Sequence, residues 1–131
     1  MLEVFRDSDT MFFGAARVEG RGPDASGSIP VALGYSALAD CAGRTVIFAD
    51  PMVATGSTII DIHAALVASG RRPGRFIVAG LVGYREAARR LEAAIPGVEV
   101  WFATCDDDLD ERGYIVPGLG DAGDLAFGPK A

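Results

Sequence analysis

Asp50 is the residue around which chemistry could be assembled. It closes the apolar run VIFAD at 46–50, and a few positions later come five small residues, Ala54, Thr55, Gly56, Ser57 and Thr58, just ahead of a stretch with helical spacing. The first N–H groups of a helix have no partner inside it and the helix dipole adds positive charge there, so such a loop specifies a phosphate cradle, with the threonine and serine hydroxyls as extra donors. A monophosphate would fit, and Asp50 could accept hydrogen bonds from vicinal hydroxyls of an attached sugar. Each charge–terminus contact contributes about 0.3–1 kcal/mol, so affinity has to come from several converging donors. The same residues admit a plainer role, in which Ser57 and Thr58 only cap the helix and Asp50 ends a strand. A P-loop is excluded because its lysine is missing, and no G-x-G-x-x-G dinucleotide fingerprint occurs.

A second constellation lies near the carboxyl terminus, where GYIVPGLGDAGDLAFG carries five glycines in residues 113–128 and no regular period. Glycine lets main-chain N–H and C=O groups approach a small ligand closely. Two roles are open for it, a surface wrap or a shaped backbone lid over a pocket.

Positioning these residues requires a scaffold. The apolar runs VIFAD, FIVAGLVG and VEVWFAT recur with helical segments between them, and continuous apolar strands are what a parallel sheet buried on both faces needs. The pattern predicts a β-α-β-α-β series. Its first helix, 57–69, presents Ile59, Ile62 and Leu66 inward and is capped by Gly70; its second, 84–95, buries Ala87, Ala88, Leu91 and Ile95 and stops at Pro96 and Gly97. Ahead of the series, Val4–Phe5 and Met11–Phe13 read as short strands around a turn at FRDSDT, and residues 20–28 as an exposed, mobile loop.

With 131 residues the chain fits one domain, divisible into a strand and loop region (1–44), the β-α-β-α-β core (45–105) and a tail (106–131). Half of the residues are hydrophobic and mean hydropathy is +0.26, which excludes disorder by low hydropathy and high charge. Twelve basic against eighteen acidic residues leave −6, so a nucleic-acid face is not expected and an anion must be held by local backbone geometry. No apolar run is long enough to suggest a membrane span, and the two cysteines carry no disulfide or zinc pattern; a cytoplasmic location is expected. His63 reads as structural, Cys105 as a small core residue, the acidic run 106–111 as a solvated turn, and Arg71, Arg72 and Arg75 as solvated.

Here the residues resemble a family. DPMVATGST is similar to the phosphoribosyl pyrophosphate (PRPP) motif of the uracil phosphoribosyltransferases, usually DPM-x-ATGGS, and GYIVPGLGDAGD resembles their uracil-binding signature. FRDSDT is similar to their Y-R-D-x-x-T segment. The resemblance implies a three-layer, parallel-sheet type I phosphoribosyltransferase core that is incomplete at the amino terminus. It implies PRPP binding by Asp50, Pro51, Met52, Val53, Ala54, Thr55, Gly56, Ser57 and Thr58, with Asp50 on the ribose hydroxyls, 54–58 on the 5-phosphate and Arg6 toward the pyrophosphate. Uracil would meet Ile115, Gly120, Asp121 and Ala122 mainly through backbone groups. Asp121, the implied catalytic residue, would lie where base, ribose carbon and a magnesium-bound water converge, with Mg2+ held through PRPP and water rather than by direct protein ligands.

The implied activity is transfer of phosphoribosyl from PRPP to uracil, giving UMP and pyrophosphate. The departures are three. Family members are longer at the amino terminus, where a core strand and a second pyrophosphate loop are expected; the second glycine of the phosphate loop is Ser57; and the usual arginine after GDAGD is Leu125. The alternative is therefore a non-catalytic nucleotide-binding subunit, or one completed by a partner chain. Self-association or a partner is expected in either case, because an unpaired apolar sheet edge is unfavourable in a monomer.

Overall fold

The computed structural model describes residues 4–17 and 31–128. The predicted loop at 20–28 lies outside the described residues. The core is a three-stranded parallel sheet in the order β3-β4-β5, formed by β3 (Thr45–Val53), β4 (Arg75–Tyr84) and β5 (Glu99–Asp106). Parallel neighbours need crossovers, supplied by α1 (Ser57–Ala68) between β3 and β4 and α2 (Arg85–Ala94) between β4 and β5. Strands taken in sequential order with right-handed crossovers put both helices on one face. A single buried cluster accordingly joins Val46 and Val53 of β3, Phe76 and Val78 of β4, Ile59, Ile62 and Leu66 of α1, and Ala87 and Leu91 of α2.

The expected α/β parallel-sheet class is what the structure has. Of its layers, the described residues form the sheet and the helical layer on one face. On the opposite face Leu81 and Trp101 are 59% and 67% exposed, and β3 pairs with β4 alone, which makes it an edge strand among the described residues.

Neither core helix has a side-chain cap at its amino end. Burial holds them instead: Leu66, Ala87 and Leu91 are fully buried, and each large apolar side chain removed from water contributes about 1.5–3 kcal/mol. The carboxyl end of α1 closes at Gly70 as expected, in a Schellman motif whose bonds run from Gly70 N–H to the Val67 carbonyl and from Arg71 N–H to the Leu66 carbonyl.

Two hairpins flank the core. β1 (Phe12–Arg17) pairs antiparallel with β2 (Val31–Ala37), and β6 (Asp108–Leu109) with β7 (Ile115–Val116), ahead of the short α3 (Ala122–Phe127). Several expectations need correction. Val4 and Phe5 form no strand but belong to the turn that follows, where Ser8 N–H and Oγ both donate to the Phe5 carbonyl. Cys105 is exposed rather than in the core, because β5 turns its odd-numbered side chains away from the helices. Arg75 is exposed as expected, and in addition both carboxylate oxygens of Glu99 accept from its guanidinium. His63 sets its ring edge-on to Phe76 at 5.0 Å, in accord with a packing role. Burial and nearby Arg72 lower its proton affinity.

Candidate functional site

Asp50 lies in the sixth of nine positions of β3, not at its last, because the strand runs on through Pro51 to Val53. Pro51 is tolerated since β3 is an edge strand among the described residues. The half-buried Asp50 carboxylate accepts the Met52 N–H at 2.9 Å; burial pushes its proton affinity above the usual carboxylate range, and that hydrogen bond partly offsets the rise.

The loop that follows is tight. Gly56 is the residue preceding α1 and adopts φ 76°, a left-handed conformation that glycine alone takes without strain. It is also buried, and a Cβ there would meet Leu91 of α2 at 3.3 Å. Ser57, standing where the family motif has its second glycine, keeps a negative φ, as does every non-glycine residue described, so the substitution is unstrained. Its hydroxyl accepts from Thr55 Oγ1 at 3.1 Å, and its N–H donates to the same oxygen at 3.4 Å. Gly56, not Ser57 or Thr58, occupies the capping position, and no side chain caps α1. The plain capping role is thus not what Ser57 and Thr58 perform.

The second constellation is held by carboxylates. Asp106, at the end of β5, accepts the Gly118 N–H at 3.0 Å, and Asp110 accepts the N–H groups of Arg112 and Tyr114. Gly118 has φ 54°, and a Cβ there would come within 2.2 Å of the Ile115 carbonyl oxygen. Asp121 caps α3, one oxygen accepting the N–H groups of Gly123 and Asp124 and the other the Tyr114 hydroxyl at 3.3 Å. Ile115 is buried in β7 and Ala122 half-buried, while Gly120 is exposed with open space beside it. One carboxylate oxygen of Asp124 is buried without a hydrogen-bond partner.

The acidic run 106–111 is largely exposed, as expected, but its carboxylates are also engaged. Two of its carboxylates organise backbone and a third, Asp107, pairs with Arg85 at 2.5 Å. This framework was missed from sequence because consecutive acidic residues look alike until strand ends and turns assign each a different neighbour. The available signal was the Asp110-to-Gly113 spacing of a turn.

Register brings the two constellations to one end of the sheet. Val53 of β3 pairs with Gly83 of β4, and Tyr84, next in β4, pairs with Asp106 of β5. One strand separates them, about 10 Å across. A cavity of about 1420 Å³ beside β3 is lined by Asp50 and Thr58 among others, and its other wall includes Phe5, Ser8 and Asp9; the 114–124 segment does not line it. Arg6, implied to reach the pyrophosphate, lies in the turn whose Phe5, Ser8 and Asp9 line this same cavity. Its turn is tied by Asp9 to Arg44 at 2.6 Å, at the amino end of β3, and no hydrogen bond or ion pair joins Arg6 to residues 50–58. Among the described residues no cluster of three or more His, Cys, Asp or Glu could hold a metal ion, and no helix is long and apolar enough to cross a membrane.

Fold and site together define an α/β domain with a phosphate-type strand–loop–helix and a glycine-rich segment at the same sheet edge. The family model described as uracil phosphoribosyltransferase matches residues 25–129, so the chain belongs to the uracil phosphoribosyltransferase family. Among curated relatives, the uracil phosphoribosyltransferase of Natronomonas pharaonis is 39% identical over 129 residues, covering 98% of this chain and 57% of the relative. That of Thermococcus gammatolerans is 50% identical over 84 residues, 64% of this chain and 37% of the relative. The solved structure of the AQ2163 protein from Aquifex aeolicus superposes with a TM-score of 0.82 at 29% identity, covering 99% of this chain and 58% of that one. The chain thus spans about half the length of the curated relatives it matches.

Proposed function

We propose that this single domain binds PRPP and uracil and takes part in forming UMP and pyrophosphate. The observation that carries the reading is that the two family motifs converge on the carboxyl edge of one parallel sheet, separated only by β4, where α/β domains bind ligands. In this reading the first N–H groups of α1 and the Thr55, Ser57 and Thr58 hydroxyls take the 5-phosphate, and Asp50 takes the ribose hydroxyls. A half-buried carboxylate suits that task, since hydroxyl donors compensate the solvation it has lost.

The backbone of Ile115, Gly120 and Ala122 reads the alternating acceptor, donor and acceptor edge of uracil. Cytosine would leave such groups unpaired, at about 1–3 kcal/mol for each buried one. The anomeric carbon–oxygen bond to pyrophosphate breaks as a bond to the ring nitrogen forms, with the nitrogen's proton leaving. The chain's contribution is to fix both partners in line and to set Asp121 near the positive charge that develops on the ribose. Because Asp121 also caps α3, it is preorganised by the bonds it already makes. Magnesium would neutralise the departing pyrophosphate, taking its oxygens and water as ligands, which accords with a site built from single carboxylates. A cytoplasmic setting goes with this reading.

A second reading is favoured by specific observations: β3 has one open edge among the described residues, the relatives are longer, and Leu125 is 70% exposed where the family motif has arginine. In it the chain binds nucleotide and is completed by another copy or by a partner chain. Magnesium-dependent UMP formation by the purified chain supports the first reading. Calorimetric binding of PRPP or UMP without turnover, together with a mass above 13.6 kDa by light scattering, supports the second. Binding of neither ligand removes both.

A further inference from the structure

We propose that Asp106 is the positioning residue of the base-reading segment, holding it at the sheet edge through the Gly118 N–H. The inference rests on the reading that residues 115–122 face a flat base, and it adds a residue that the sequence motifs do not contain.

Asp106 is the last residue of β5, and its backbone is fixed in register with Tyr84 of β4. From this rigid edge its half-buried carboxylate reaches across twelve residues of sequence to accept the Gly118 N–H at 3.0 Å. Gly118 is the tightest point of the segment, since even a methyl group there would collide with the Ile115 carbonyl. Fixing that one amide therefore fixes the carbonyl before it and the approach to Gly120 after it. A hydrogen bond to an ionised acceptor is among the stronger kinds, and a site on a loop gains its precision from support by a rigid element. The other organising carboxylates bond within the segment itself: Asp110 to Arg112 and Tyr114, and Asp121 to Gly123 and Asp124. Asp106 alone of these three ties the segment to the parallel sheet.

The test uses the full chain with Asp106→Ala and Asp106→Asn, the second keeping a carbonyl oxygen as acceptor. Exchange of the Gly118 amide, followed by nuclear magnetic resonance, reports the contact, and exchange at Val78 in the core of β4 reports the fold. Calorimetric titrations with UMP and with ribose 5-phosphate separate the base segment from the phosphate loop. The expected result is that Asp106→Ala speeds Gly118 exchange and weakens UMP about tenfold or more, leaves ribose 5-phosphate binding and Val78 protection unchanged, and that Asp106→Asn restores most of both losses. Unchanged Gly118 exchange and UMP affinity in Asp106→Ala overturns the inference. Equal weakening of UMP and ribose 5-phosphate, or loss of Val78 protection in both variants, assigns Asp106 to general stability and also overturns it. A wild-type chain that binds ribose 5-phosphate but shows no added affinity for UMP overturns the reading of the base segment, and the inference with it.

Discussion

The phosphate loop and the base segment share one sheet edge but are held there by different forces. At 53–59 the grip is apolar: Val53 and Ile59 are buried in the core cluster and Gly56 is wedged against Leu91 of α2. At 106–124 the grip is polar, with Asp106, Asp110 and Asp121 each accepting backbone N–H groups and Ile115 the one large apolar side chain buried there. Apolar packing is insensitive to single polar changes and resists local opening, whereas a segment pinned by a few hydrogen bonds can open without unfolding the core. On the proposed reading, a phosphate site that must be preformed and a base site that must admit a flat ring have correspondingly different supports.

Leu91→Ala should have the largest effect. Emptying a fully buried site of this kind costs about 2–5 kcal/mol, read by denaturant unfolding, and it should weaken ribose 5-phosphate more than it disturbs Gly118 exchange. Equal disturbance of both regions would erase the distinction between them. Next come the two glycines. Gly118→Ala and Gly56→Ala each place a Cβ at positive φ, about 1–2 kcal/mol, but Gly118 adds a collision with backbone at 2.2 Å while Gly56 makes only a tight 3.3 Å contact with the Leu91 side chain. Gly118→Ala should therefore be the more harmful to UMP binding and Gly56→Ala to ribose 5-phosphate, compared by paired calorimetry.

Smaller still is the stability change from Asp50→Asn. Burial raises the folded-state proton affinity of Asp50 above its unfolded value, so the folded chain holds the proton more tightly. Its ionised form then lowers stability, and that cost grows as pH rises through the window above the ordinary carboxylate value. Asp50→Asn should raise stability at pH 7 slightly, steepen the rise of stability from acid to neutral pH because the opposing Asp50 contribution is gone, and weaken ribose 5-phosphate about tenfold. A loss of stability at pH 7 would show the carboxylate to be compensated within the fold. Least affected should be Arg75→Ala. Its pair with Glu99 is exposed at the far end of the sheet, so the melting temperature should barely move and neither ligand should notice.

The elements most legible in sequence were those whose signal is periodic. The three apolar strands and both helices emerged within a few residues of their bounds, because a buried strand or an amphipathic helix must repeat its apolar residues along the chain. Val4–Phe5 misled, since two apolar residues beside a turn look like a strand until pairing is known. Cys105 misled because a strand's two faces cannot be ranked for burial before the helices choose one.

By itself, then, the sequence determined the α/β class, the strand–loop–helix at 50–58 and the glycine-rich segment at 113–128, all of which are local patterns. Only the tertiary structure decided that both lie at the same sheet edge, that the turn holding Arg6 is tied to the amino end of β3, and that two carboxylates of the acidic run clasp backbone. Those facts depend on strand order, helix side and register, which arise from pairings between residues far apart in the chain and leave no periodic mark along it.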